Sequence, residues 1–383
     1  MANNGAKISF KNGLQNQMRD FLKECMKKGI FDAVVLPVRV PANDSYAWIL
    51  MNDISIVDQA NPIPPVMPVQ GAKALKSLTR KGDGILKIAT IMKPCEIRAT
   101  IELAKLSQVN LENITLISYD CPGAIPMSIY NNLSDDMEIF YNDVVSENNF
   151  VSEKMKEVCG FCVDFSDVPD DLHFGFTGLE NEVYIIPNTG KGNSVLEKLE
   201  MKSSENLSQW KKNVADIKKI KSKNRIDIYK QVQPTVDGLD NLQKTYEKCI
   251  GCHNCQSACP ICYCRQCFFD STASEQSANT LIDIAEKRGG IGFPRDKIMF
   301  QVGRMSHMSL SCVSCGQCMD ACPVNIPVAK IFSFVSSKTQ NTFEYRAGFS
   351  GDEPIPLKVY KDDELSKIHE IVKNAESDGS EHE

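Results

Sequence analysis

The chain has 383 residues, 42% hydrophobic and 24% charged, with a formal net charge of −6. That length accommodates two or three domains with cores of their own, and the lack of a basic excess argues against a nucleic-acid partner. No apolar run approaches the roughly 18–20 residues that span a bilayer, and MANNGAKISFKNGL lacks the apolar stretch of a secretory signal, so a cytoplasmic location is expected.

In chain order, residues 11–29 place Leu14, Met18, Phe21, Leu22 and Cys25 on one face at helical spacing. Cys25 reads there as a core thiol. FDAVVLPVRV follows as a strand, GILKIATIM (84–92) as a second, then a helix over about 95–107 and a strand at NITLISY (113–119). VYIIP (183–187) adds one more strand. This alternation predicts an α/β domain with a mostly parallel sheet, which places ligands at its strand ends. Residues 191–245 then turn polar and lysine-rich, with seven basic residues from Lys211 to Arg225, and read as a solvated helical connector. A cysteine-rich, mainly α-helical module is expected over 246–340, and an extended acidic tail over 341–383.

Sixteen cysteines in a cytoplasmic chain point to metal ligation rather than disulfides. Eleven of them lie between Cys249 and Cys322. Cys249, Cys252, Cys255 and Cys259-Pro260 form C-x2-C-x2-C-x3-C-P, and Cys312, Cys315, Cys318 and Cys322-Pro323 repeat it. In that bacterial-ferredoxin spacing, the fourth cysteine of each run ligates the cluster held by the other run. One 4Fe-4S cluster is therefore expected on Cys249, Cys252, Cys255 and Cys322. The second is expected on Cys312, Cys315, Cys318 and Cys259. Zinc sites use single four-ligand sets and match two such runs poorly. Cys262, Cys264 and Cys267 exceed the need of these clusters. They are read as S–H contacts packed around the neighbouring cubane, as ligands of an additional metal, or as replacement ligands.

The 52 residues between the runs include two helix-like stretches, with Gly289-Gly290 as a stop signal. This layout resembles the α-helical ferredoxins of succinate dehydrogenase iron–sulfur subunits and heterodisulfide reductase small subunits, through RMSHMSLSCVSCGQCMDACPVNIPVAKIF. His307, in that run, is read as an exposed or packed helix residue in preference to a donor to a cluster. Further upstream, KPCEIRA (93–99), YDCPGA (119–124) and VCGFC (158–162) put Cys95, Cys121, Cys159 and Cys162 at loop positions. By spacing alone they divide evenly between a ligand set and unrelated thiols.

The helix leading into FDAVVL, the K-P-C-E segment, the D-C-P-G turn and the C-x2-C pair resemble the β subunits of deazaflavin (coenzyme F-420)-reducing hydrogenases and formate dehydrogenases. The resemblance covers residues 1–190. It implies a third 4Fe-4S cluster on Cys95, Cys121, Cys159 and Cys162 beside a flavin, with FAD as the candidate and Lys93 and Arg98 as contacts to its phosphate or carboxylate groups. The family's serine/glycine-rich turn before the first helix is reduced here to Lys11-Asn12-Gly13-Leu14-Gln15, and its later glycine-bearing segment reads DDLHFGFTG.

The resulting expectation is an iron–sulfur electron-transfer subunit of a multisubunit oxidoreductase. Its partners would be formate dehydrogenase, hydrogenase or heterodisulfide-reductase-type subunits. The alternatives are a flavoenzyme exchanging hydride with a deazaflavin, and a cluster-bearing redox sensor or scaffold. No serine–histidine–acid set, Walker loop or H-E-x-x-H run supports hydrolytic or phosphoryl chemistry. Any molybdenum, tungsten or nickel centre would sit on a partner chain.

Overall fold

The computed structural model describes residues 4–294 and 297–359. Eight strands form one sheet: β1 (Asn4–Ser9), β2 (Ala33–Arg39), β3 (Tyr46–Met51), β4 (Ile88–Ile91), β5 (Ile114–Tyr119), β6 (Leu172–Gly175), β7 (Glu182–Pro187) and β8 (Glu205–Asn206). Their order is β3-β2-β4-β5-β6-β7-β1-β8. The central strands β2, β4, β5 and β6 run parallel, as the helix–strand alternation requires. The flanking pairings are antiparallel. All four β4 residues are buried, as expected of a strand covered on both faces.

The helix Leu14–Lys27 buries Leu14, Met18, Phe21, Leu22 and Cys25, the face read from the sequence. Cys25 lies in the core, and burial pushes its thiol up to about 12. Pro94–Lys105 follows β4 directly, with Pro94 at its first turn, where a missing N–H costs nothing. Helices Gly71–Thr79 and Ser134–Ser146 were not read from the sequence.

The connector helix, Ser208–Val236, is more than a solvated spacer. It buries Trp210, Val214, Lys221 and Val232, and so packs along both modules. The second module contains the helices Ala278–Arg288, Lys297–Met308 and Val328–Thr342. Gly289 caps the first of these at φ 74°, as the stop signal predicted. His307 is exposed.

The expected acidic tail begins later than residue 341. Tyr345, Ala347 and Ile355 are buried because the chain folds back on the Pro94–Lys105 helix, where the Gly348 N–H donates to Glu102 Oε1 at 2.7 Å. Most of the remaining expected tail, from residue 360, lies outside the described residues. Among the described residues no helix is long and apolar enough to cross a membrane.

The modules are joined by buried polar contacts. Arg98, paired with Asp164 of its own module at 2.7 Å, reaches out to donate to the Ala347 carbonyl at 3.0 Å. Lys156 pairs with Asp320 at 2.8 Å. Gln317 Nε2 donates to the Pro68 carbonyl at 2.9 Å.

Candidate metal centre

At the carboxyl ends of β4 and β5, Cys95 stands in the first turn of the Pro94–Lys105 helix rather than in a loop, and a short turn carries Cys121. The Glu96 carboxylate fixes the first turn by accepting from the Lys93 N–H at 2.9 Å and the Gly71 N–H at 2.7 Å. Asp120 fixes the second. It accepts from the Phe176 and Thr177 N–H groups at 2.8 Å and from Trp210 Nε1 at 2.7 Å. Its other oxygen meets His173 Nε2 at 2.9 Å. Gly123, at φ 129°, lets the chain pass close to Cys159, whose Cβ would stand 3.0 Å from any Cβ added there.

These turns and the 158–162 segment bring Cys95, Cys121, Cys159 and Cys162 to one small cavity, together with Lys93 and Cys315. Evenly balanced by spacing, the four thiols are thus brought together by the fold. Burial pushes Cys121 up to about 12 and Cys162 to about 11, and raises Cys95 as well. Such thiols stay protonated at neutral pH until a metal displaces the protons.

Lys93 lines this cavity while donating from Nζ to the Pro64 carbonyl at 2.7 Å. Arg98 is held instead by Asp164, the Ala347 carbonyl and the Phe349 ring, whose centroid is 4.8 Å away. Sequence reasoning missed Lys221. From the connector helix it reaches the cavity wall, donates to the Cys159 carbonyl at 2.9 Å and lies 4.8 Å from the Phe165 ring centre. A lysine within a polar helical run carries no sequence signal of such burial.

A second cavity is lined by Cys259, Cys312, Cys315 and Cys318, together with Arg304, Met308 and Phe332. This grouping carries the fourth cysteine of the first run into the second run's set. Burial pushes Cys315 up to about 12. Cys262 lies against Cys259, and their interaction lowers the Cys259 thiol while raising that of Cys262. Cys315 and Ser314 line both cavities, so the two cysteine sets share a wall.

Of the remaining cysteines of the two runs, Cys249 and Cys322 lie near enough to Cys255 to help raise its thiol. Gln301 Nε2 stands 3.9 Å from both the Cys249 and Cys255 sulfurs. Cys252 is exposed, as is Cys264. Among the described residues, no three His, Cys, Asp or Glu side chains are close enough to hold a single metal ion. A cubane presents its irons at separate corners, so its four thiolates need not converge on one point.

Two larger cavities border the first module. One, of ≈ 360 Å³, lies at the start of the first helix and is bordered by Gly13, Asn16, Asn142, Asp143, Phe176 and Glu182, among others. The other, of ≈ 830 Å³, lies between the modules and includes Lys156, Val158, Cys322 and Lys330.

Comparison with known proteins converges on the same elements. The family described as a 4Fe-4S dicluster domain matches residues 245–326. The F420-dependent formate dehydrogenase 1 subunit beta of Methanococcus maripaludis is 30% identical over 311 residues, covering 71% of this chain and 75% of that protein. The F420-dependent formate dehydrogenase subunit beta of Methanocaldococcus jannaschii is 29% identical over 298 residues, covering 70% and 75%. A chain of the F420-reducing [NiFe] hydrogenase complex from Methanosarcina barkeri overlays with a TM-score of 0.42 at 11% identity, covering 60% of this chain and 92% of that one.

Proposed function

Because this chain belongs to the family of F420-dependent formate dehydrogenase beta subunits, we propose that its electron-transfer role is carried by three 4Fe-4S clusters in sequence. Cys95, Cys121, Cys159 and Cys162 would hold the first. Cys312, Cys315, Cys318 and Cys259 would hold the second, and Cys249, Cys252, Cys255 and Cys322 the third. Each bound cluster supplies a store for single electrons. The protein's part is to fix the thiolates, exclude water and set the order of the sites.

The observation that carries this reading is the shared wall: Cys315 borders both the first and the second cysteine cavity. The donor chemistry also fits, since the first and second groups are sets of thiols in largely apolar enclosures. The partner would be a catalytic subunit of the formate dehydrogenase type. Substrate-level metal chemistry would reside there.

A flavin dinucleotide is less well matched. The ≈ 360 Å³ cavity at Gly13 presents Asp143 and Glu182, with no lysine or arginine among its lining residues to meet a diphosphate. In the ≈ 830 Å³ cleft, Lys156 is paired with Asp320 and Lys330 with Glu157. These linings support single-electron relay over hydride exchange.

Iron and sulfide analysis of the anaerobically purified chain tests the proposal. About twelve irons per chain are expected, falling to about eight in a Cys95→Ala/Cys121→Ala variant. A wild-type value of about eight removes the first-module cluster. Acid extraction followed by chromatography decides the flavin question, and stoichiometric FAD would restore the hydride reading.

A further inference from the structure

Arg304, on the helix Lys297–Met308, is 3% exposed and has an unusual set of neighbours. Its Nη1 stands 2.9 Å from Cys255 Sγ, and its Nη2 donates to the Cys255 carbonyl at 3.0 Å. The guanidinium lies 4.8 Å from the Phe332 ring centre and 5.6 Å from that of Phe300. The same side chain lines the cavity of Cys259, Cys312, Cys315 and Cys318. It therefore touches one cysteine set and borders the other. Its Nε is buried and has no hydrogen-bond partner among the described residues.

A buried guanidinium is costly unless anions repay the loss of water. Within reach of its charge lie the sulfur of Cys255 and, across the cavity it lines, those of Cys259 and Cys318. Arginine is permanently charged, so the residue cannot relieve the cost by losing a proton. The arrangement makes sense where the sulfurs carry negative charge, and most sense where that charge increases on reduction.

We propose that Arg304 is a positioning residue that sets the potential difference between the two C-terminal clusters. Its charge and its N–H bond to Cys255 stabilise the reduced state of the cluster on Cys249, Cys252, Cys255 and Cys322. The cluster on Cys312, Cys315, Cys318 and Cys259 feels the charge without a direct bond and is raised less. Hydrogen bonds to ligand sulfur and burial are the protein's means of tuning such potentials. Electrons are thereby favoured on the outer site, where Cys252 reaches the surface. The inference rests on the ligand sets proposed above.

The test uses the full chain, purified anaerobically as wild type, Arg304→Gln and Arg304→Lys, with iron counted and the reduced clusters titrated by electron paramagnetic resonance. At unchanged iron content, Arg304→Gln lowers one midpoint by at least tenfold in equilibrium constant, 59 mV for a one-electron couple. Arg304→Lys keeps the charge and shifts that midpoint less. Wild-type midpoints in a fully loaded Arg304→Gln protein overturn the inference and leave the ligand sets standing. A wild-type chain lacking these two clusters overturns the ligand sets, and the inference with them. Should Arg304→Gln lose iron, wild-type protein labelled with 15N-arginine decides. Pulsed resonance then detects coupling between one arginine nitrogen and a reduced cluster, and no coupling overturns the proposal.

Discussion

Replacing Gly316 by alanine, with Gly289→Ala as its control, measures how tightly the two cysteine modules are pressed together. Both glycines have left-handed backbone, at φ 79° and 74°. An added Cβ costs about 1–2 kcal/mol at either position for that conformation alone. Around Gly289 there is nothing within 4 Å of the new atom, whereas at Gly316 it would stand 2.4 Å from Val158 Cγ2. Val158 is buried and cannot swing into solvent, so Gly316→Ala adds an overpacking cost of about 1–3 kcal/mol. Gly316 directly follows Cys315 and Val158 directly precedes Cys159, so relief of the clash moves one cysteine set against the other. A multidomain protein with bound clusters does not unfold in two states, so the useful quantity is the difference between variants. Urea unfolding, followed through loss of cluster absorbance, should place the Gly316→Ala midpoint roughly 0.5–1 M below that of Gly289→Ala. Iron per chain should also fall in Gly316→Ala alone. Equal midpoints and equal iron in the two variants would refute the packed interface.

Three further outcomes follow from individual side chains. Arg98→Met leaves the buried Asp164 to the more exposed Arg346 and should cost less than the about 3–5 kcal/mol of a fully unpaired buried charge; a lowered thermal midpoint, partly restored by Asp164→Asn in the double variant, checks it. Burial alone would push the His173 imidazole down, but Asp120 and Asp170 raise it to about 10. A folded value above the unfolded 6.5 gives stabilisation that is complete below about pH 6.5 and is lost as pH rises through about 10. The urea-midpoint gap between wild type and His173→Gln should therefore narrow across that range, and a constant gap contradicts the buried ion pair. Cys264 lies outside both C-x2-C-x2-C-x3-C-P runs, so Cys264→Ala should leave iron content and cluster spectra unchanged; loss of iron would establish a ligand role for it.

Much of the first module was legible because its signals are local. The apolar face from Leu14 to Cys25 and the runs at 84–92 and 113–119 each specify an element without help from distant residues. The antiparallel flanks were harder to see. β6 is four residues, LHFG, within a segment that reads as an altered glycine turn, and β1 begins within the first residues of the chain. The C-terminal dicluster domain was legible from spacing, since a cubane fixes short intervals between its ligands. The gathering of Cys95, Cys121, Cys159 and Cys162 depends on two strand ends and the separate 157–162 segment, which spacing alone does not relate. Lys221 and Arg304 were invisible for a related reason: burial of a cation is decided by what packs over it, and neither helix announces its neighbour.

The same reasoning explains why the connector and the chain after residue 341 are more ordered than their composition suggests. The first cysteine cavity is not closed by the first module alone. Lys221 comes from the connector helix, and Ser314 and Cys315 from the second module. Arg98, one turn beyond Cys95, is fastened by Asp164, two residues beyond Cys162, and by the Ala347 carbonyl from the returning chain. Docking therefore completes the enclosure of the Cys95 set while bringing Cys315 into its wall. In the second module, the grouping of Cys259 with Cys312, Cys315 and Cys318 means that its two runs must fold together before that set exists. On the ligand sets proposed above, that site could not be loaded until both runs are in place. This makes the polar contacts between modules part of the relay's assembly rather than a surface embellishment.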